Sequence, residues 1–154
     1  MRVYVENTVW GFAFNVTKPQ WQVSSMELFA AIQSGQHRLV VSQVVETELL
    51  KGAPDEVLTF FYSLLPLAEM LVVNEAARRL RDAYLAEGFI PARKDDDALH
   101  VALATVALCD AMVSWDGQHI VKQRNIIRFN HINALTGYPA LAISRPDKFL
   151  LEFS

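Results

Sequence analysis

Apolar residues fall in this chain into short runs and into longer stretches with helical spacing, and the alternation of the two predicts most of its elements. Arg2 to Val5, Leu39-Val40-Val41, Met70 to Val73 and Ala111 to Trp115 are the short runs, and each predicts a buried strand. Val9, Trp10, Phe12 and Phe14 continue from the first of them as a helix. Ser24 and Glu27 form a capping box around Met26, Leu28, Phe29 and Ile32, which predicts a second helix stopped by Gly35. Ser42 is placed to cap a helix from Gln43 to Lys51. Pro54-Asp55-Glu56 opens another that Pro66 ends, and Asn74 caps one that ends near Gly88. Gln118 to Leu135 carries a patchier helical pattern, and Leu141 to Ser144 predicts a last edge strand before Pro146.

One stretch departs from amphipathic patterning. Arg93-Lys94-Asp95-Asp96-Asp97 opens a helix, Ala98 to Thr105, that is apolar on nearly every side. Such a helix must be buried, so Asp96 and Asp97, one step inside its start, are carried towards the interior. Acids also suit that position as dipole partners of unpaired backbone N–H groups.

Strands alternating with helices predict an α/β fold: a central, mainly parallel sheet of four to five strands, covered on both faces and joined by right-handed crossovers. Ligands of such sheets bind beyond the carboxyl ends of the strands. Glu6 directly follows the first strand, Glu46 or Glu48 lies on the helix after the second, and Asp116 directly follows the fourth. With Asp97 these acids converge on one edge. Glu46 and Glu48 point in nearly opposite directions on a helix; Glu48 falls on the face of Val44, Val45 and Leu49, whereas Glu46 joins Gln43 and Thr47. Each acid has an ordinary reading: a buried ion pair for Glu48, a turn residue for Glu6, a helix cap for Asp116 and a dipole partner for Asp97. Gathered together they would repel one another unless a divalent cation neutralised them, and an all-oxygen set suits Mg²⁺ or Mn²⁺. That chemistry points to phosphoryl transfer, with the ion activating water and stabilising charge on the phosphate.

The chain has 154 residues, 52% hydrophobic and 20% charged, as expected of one compact domain spanning 1–154. A formal net charge of −3 provides no global attraction to a polyanion, so a nucleic-acid partner would need a local patch or a metal. Cys109, the single cysteine, sits in an apolar segment and fits a reducing compartment. The N-terminal stretch has no signal-like apolar core and no run is long enough to span a bilayer, so the expected location is cytoplasmic.

Val3-Tyr4-Val5-Glu6-Asn7-Thr8, Ser42-Gln43-Val44-Val45-Glu46-Thr47-Glu48, Asp96-Asp97-Ala98-Leu99-His100-Val101-Ala102 and Ser114-Trp115-Asp116-Gly117-Gln118-His119-Ile120-Val121 resemble, in order and spacing, the motifs of PIN-domain proteins. The resemblance is greatest to the VapC-like toxin branch, whose C-terminal signature is similar to Phe129-Asn130-His131-Ile132-Asn133 with Gly137-Tyr138 and Pro146. It implies a three-layer α/β/α sandwich and a Mg²⁺-dependent endoribonuclease. It also implies the toxin of a type II toxin–antitoxin pair, often homodimeric and inhibited by an antitoxin protein. Glu6, Glu48, Asp97 and Asp116 would be its catalytic and metal-holding quartet. Glu6 stands where most of the family has Asp, and Asn7 replaces a hydroxyl residue that Thr8 retains. The rival reading is a PIN-like module whose catalysis has lapsed and which binds RNA or protein.

Asp97 with His100 and Asp116 with His119 each form an acid-x-x-His pair, the spacing of carboxylate di-iron sites, but those need four long helices where this chain has strands. His100 is therefore read as helix wall and His119 as a cap or packing residue below the site. From Gly117 through Pro146 there is no acid, while Lys122, Arg124, Arg128 and Arg145 are basic. Lys122, Arg124, Arg128 and Thr8 are the candidate RNA contacts, with Phe129 or Tyr138 available to stack on a base. Trp10, Phe12, Phe14 and Trp21 belong either to the core or to a surface for a second copy or an antitoxin helix.

Overall fold

The computed structural model describes residues 1–153. Five strands, β1 (Arg2–Val5), β2 (Arg38–Ser42), β3 (Ala68–Leu71), β4 (Ala111–Val113) and β5 (Ala142–Ser144), form one sheet in the order β3-β2-β1-β4-β5. Every pairing is parallel, Val3 facing Leu39 on one side and Ala111 on the other. β1 and β4 are buried throughout apart from Arg2, as central strands covered on both faces must be.

The helices are α1 (Asn7–Phe12), α2 (Pro19–Gln33), α3 (Gln43–Gly52), α4 (Asp55–Leu64), α5 (Glu75–Ala86), α6 (Asp95–Val106), α7 (Gln123–Leu135) and α8 (Pro146–Phe153). α1 packs on α2, α3 and α4, and α8 on α2, whereas α5 packs on α6 and α7. These are the two outer layers of a three-layer α/β/α sandwich. Trp10 anchors the first, in ring contact with Phe29, Phe60 and Phe61. In the second, Tyr84 and Phe89 pack edge-on against Phe129. Ala98 to Thr105 of α6 are all buried. No helix among the described residues is long and apolar enough to cross a membrane.

Several boundaries differ from the sequence expectation. α2 begins at Pro19, a residue whose fixed φ suits the first helical turn, so Ser24 and Glu27 lie inside the helix instead of opening it. β3 comes two residues earlier than expected, and β4 ends at Val113 because Ser114 and Trp115 turn their polar groups to the site. Asp116 caps a turn, so α7 starts only at Gln123. α8 has no counterpart among the expected elements: Pro146 begins a helix, although its place after the last strand suits a breaker equally well. Asp96 is exposed, and only Asp97 of the pair turns inward.

Arg2 joins the layers at the opposite end of the sheet. Its guanidinium donates to the carbonyls of Ala107 and Leu108 at the end of α6 and to Glu69 on β3. Leu108 closes α6 in the left-handed region, at φ 58, which a residue with a side chain adopts only at a cost.

Candidate metal centre

The strand order reverses direction between β1 and β4, and a parallel sheet opens a crevice beyond the carboxyl ends of such a pair. Glu6 and Asp116 stand at those ends. Glu6 leaves β1 in extended conformation and caps α1, its Oε1 accepting from the backbone N–H of Thr8 at 3.1 Å. The same oxygen accepts from the hydroxyls of Thr8 and Ser114, the latter at 2.7 Å, while Oε2 takes no hydrogen bond within the described residues. Ser114 Oγ in turn accepts from the Asp116 N–H at 3.0 Å, and Thr8 Oγ1 from the Trp115 N–H at 2.9 Å. Glu6 is thus tied to the chain around Asp116. It is 2% exposed, and burial pushes its carboxyl pKa up against the opposing pull of His100, Thr8 and Ser114.

Asp116 is oriented by its own turn. Oδ1 accepts the N–H groups of Gln118 at 3.0 Å and His119 at 3.1 Å, which leaves Oδ2 free of hydrogen bonds. His119 Nδ1 lies 3.9 Å from that oxygen and 3.1 Å from Oδ2 of Asp97, in the first turn of α6. Asp97, Asp116 and His119 each contribute one ligand-type atom to a set lying within 4.8 Å of one another. Burial, then the charges of Asp116 and Glu6, push the Asp97 pKa up to about 7, although His100 and Lys94 act the other way. A carboxyl held so high sits in a place short of positive charge. Divalent ions fit that deficit, and a donor set of two carboxylates and one imidazole fits them chemically.

Glu48 is placed differently. Its Oε1 meets His100 Nε2 at 2.7 Å, and His100 Nδ1 meets the Tyr4 hydroxyl at 2.7 Å, which also bonds Ser42 Oγ at 2.7 Å. This buried relay crosses from β1 and β2 through α6 to α3. Burial lowers the His100 pKa, but the bond to Glu48 and the charges of Glu6, Glu48 and Asp97 outweigh it, so the net shift is upward. His100 is therefore a partner of Glu48 and not merely part of the helix wall. Of the expected quartet, the structure brings Asp97 and Asp116 into one cluster, sets Glu6 behind them and pairs Glu48 with a histidine. The cluster's third member is His119, for which the sequence predicts a cap or packing role below the site. Its signal was present in the Asp116-x-x-His119 spacing, but Asp97-x-x-His100 has the same spacing, and only the fold separates the two.

His119 also lines a groove of about 510 Å³ with Phe89, Lys122, Arg124, Asn125 and Arg128. All three expected cations thus line the groove that His119 shares with the cluster. Arg145 does not: it lies over the rings of Trp21 and Trp115 and pairs with Asp147. Thr8 is occupied by Glu6 and Trp115. Phe129 is fully buried and can stack on no base, which leaves the half-buried Tyr138. Trp10 is core, while Phe12 and Phe14 line a second groove, of about 520 Å³, that reaches Glu48.

No protein-family model matches this sequence, and no curated protein matches it either. Among solved structures, a chain of the VapBC2 complex from Rickettsia felis, crystallised bound to a DNA fragment from their promoter, is similar in fold. It is 16% identical, the match covers 94% of this chain and 98% of that one, and the TM-score is 0.59. The likeness is one of architecture, and the architecture is the PIN-like α/β/α sandwich.

Proposed function

We propose that this chain is a metal-dependent endoribonuclease that hydrolyses RNA phosphodiester bonds and acts as the toxin of a type II toxin–antitoxin pair. The observation that carries the reading is the cluster of Asp97 and Asp116 with His119, near buried Glu6, together with the groove of three cations that His119 also lines. Asp97 and Asp116 would hold Mg²⁺, or Mn²⁺, with Glu6 behind them; Glu48 completes the acidic set, held by His100. A divalent ion in that position supplies charge for a phosphoryl oxygen and lowers the pKa of water, so no side-chain nucleophile is required. Ser114 and Thr8 hold Glu6 in one orientation. Lys122, Arg124 and Arg128 would neutralise phosphates on either side of the reacting one. Thr8 contributes by position more than by contact with RNA, since its hydroxyl is already bonded.

An antitoxin protein is the proposed partner, consistent with a fold shared with a component of VapBC2. The groove along Phe12 and Phe14, which Glu48 also lines, offers it a partly apolar surface. A homodimer in the cytoplasm is the proposed form.

The test is incubation of purified protein with RNA in Mg²⁺, in Mn²⁺ and in EDTA. Cleavage that requires metal and is lost in Asp97→Asn supports the enzyme. RNA binding without cleavage under every metal would replace it with a lapsed PIN-like binding module, the reading left open by Glu6 in place of the family's usual Asp.

A further inference from the structure

We propose that His119 ligates the bound ion through Nδ1, making the centre a mixed nitrogen–oxygen site that favours a first-row transition ion, Mn²⁺ included, over Mg²⁺. The inference rests on the metal-dependent reading above and deepens it, because a centre built from carboxylates alone carries no such preference.

Geometry comes first. Two ligands about 2.1 Å from a shared ion stand ~3.0 Å apart when adjacent in an octahedron, ~3.4 Å apart in a tetrahedron and at most ~4.2 Å apart across the ion. His119 Nδ1 lies 3.1 Å from Asp97 Oδ2 and 3.9 Å from Asp116 Oδ2, within those limits for both partners. The turn after β4 enforces this placement. Asp116 Oδ1 is held by the N–H groups of Gln118 and His119, so the free Oδ2 and the imidazole of the third residue along face the same point. Asp97 brings Oδ2 to that point from another element. A second observation comes from Glu6, 2% exposed, whose Oε2 takes no hydrogen bond within the described residues while its charge acts on Asp97.

His100 provides the internal contrast. It also follows an acid by three residues and lies near the same carboxylates, yet both its nitrogens are engaged, by Tyr4 and by Glu48. His119 Nδ1 instead faces the carboxylate oxygens of Asp97 and Asp116, the two acids that would share an ion. Mg²⁺ keeps to oxygen donors and dehydrates reluctantly, whereas imidazole nitrogen strengthens binding along the first-row transition series.

The experiment is Mn²⁺ titration with pulsed electron paramagnetic resonance on the full-length chain and on His119→Gln, with Mg²⁺ binding measured by calorimetry alongside. Gln keeps the backbone N–H that caps Asp116, and unchanged circular dichroism verifies the fold. The expected result is ¹⁴N modulation from a directly bound imidazole in the wild type and its loss in His119→Gln. The Kd for Mn²⁺ should rise about tenfold or more in the variant while that for Mg²⁺ changes less than about threefold. Mn²⁺ bound by the wild type without ¹⁴N modulation would overturn the inference and leave His119 as a counter-ion of Asp97, with the metal-dependent reading intact. A wild type that binds neither ion would remove both.

Discussion

Asp97 shows how burial and charge act on one side chain. Folded, it keeps its proton to about pH 7, against 3.8 for a free aspartate. Between those values the folded chain binds more protons than the unfolded one, so stability falls as pH rises and the penalty is complete above about pH 7. Replacement of Asp97 by Asn removes it. The variant should be more stable than wild type by ~1–2 kcal/mol, or ~3–6 °C in Tm, at alkaline pH in EDTA, and the gain should vanish near pH 4 in thermal denaturation. Saturating divalent ion should then raise the wild-type Tm more than that of the variant, because binding to the folded state alone is stabilising. Leu108 has a simpler cost. Its left-handed backbone is relieved by glycine, and at 58% exposure it gives up little packing. Leu108→Gly should therefore be neutral or stabilise by up to ~1 kcal/mol in urea unfolding, where glycine elsewhere in a helix destabilises.

At the scale of elements, the cap of α3 links stability to the site. Ser42 Oγ accepts the Val45 N–H and also bonds Tyr4, so it both starts the helix that carries Glu48 and joins the relay that ends on Glu48. Asn74 caps α5 in the same way but lies on no such route. Ser42→Ala and Asn74→Ala should each cost about 1 kcal/mol in denaturant melts, and only Ser42→Ala should also slow RNA cleavage. Both caps could be read in the sequence, as could β1, β2 and the wholly apolar α6, because each rests on a local signal of composition and spacing. α8 could not. Its apolar residues Phe149 and Phe153 repeat at helical spacing, but Pro146 marks a helix start as readily as an end, and the deciding contact is with α2, far away in sequence. The site divides along the same line. Asp97 and Asp116 follow from where buried helices and strands begin and end. Which of two identically spaced histidines turns to them is set by the stacking of α6 against β1 and α3, and no local rule reports it.

Across the whole molecule, charge is divided between two neighbouring surfaces: an acidic cluster at the strand ends and a cationic groove on the start of α7. A chain of net charge −3 can hold a polyanion only through such a division. Exchange of Lys122, Arg124 and Arg128 for Ala should weaken RNA binding and reduce its log–log salt slope by about 2, at ~0.7 per lost phosphate contact, with little change in Tm. A larger drop in Tm would mean that Arg128, which lies over Phe89, matters more for packing than for RNA.

The central position of β1 has a consequence for how the protein is made. β1 is the middle strand of the sheet, yet its second neighbour begins only at Ala111, more than a hundred residues further along the chain, with Asp116 just beyond. Every shorter product of interrupted translation lacks that neighbour and one of the two clustered aspartates. Under the proposed activity, fragments released before Asp116 is made are harmless.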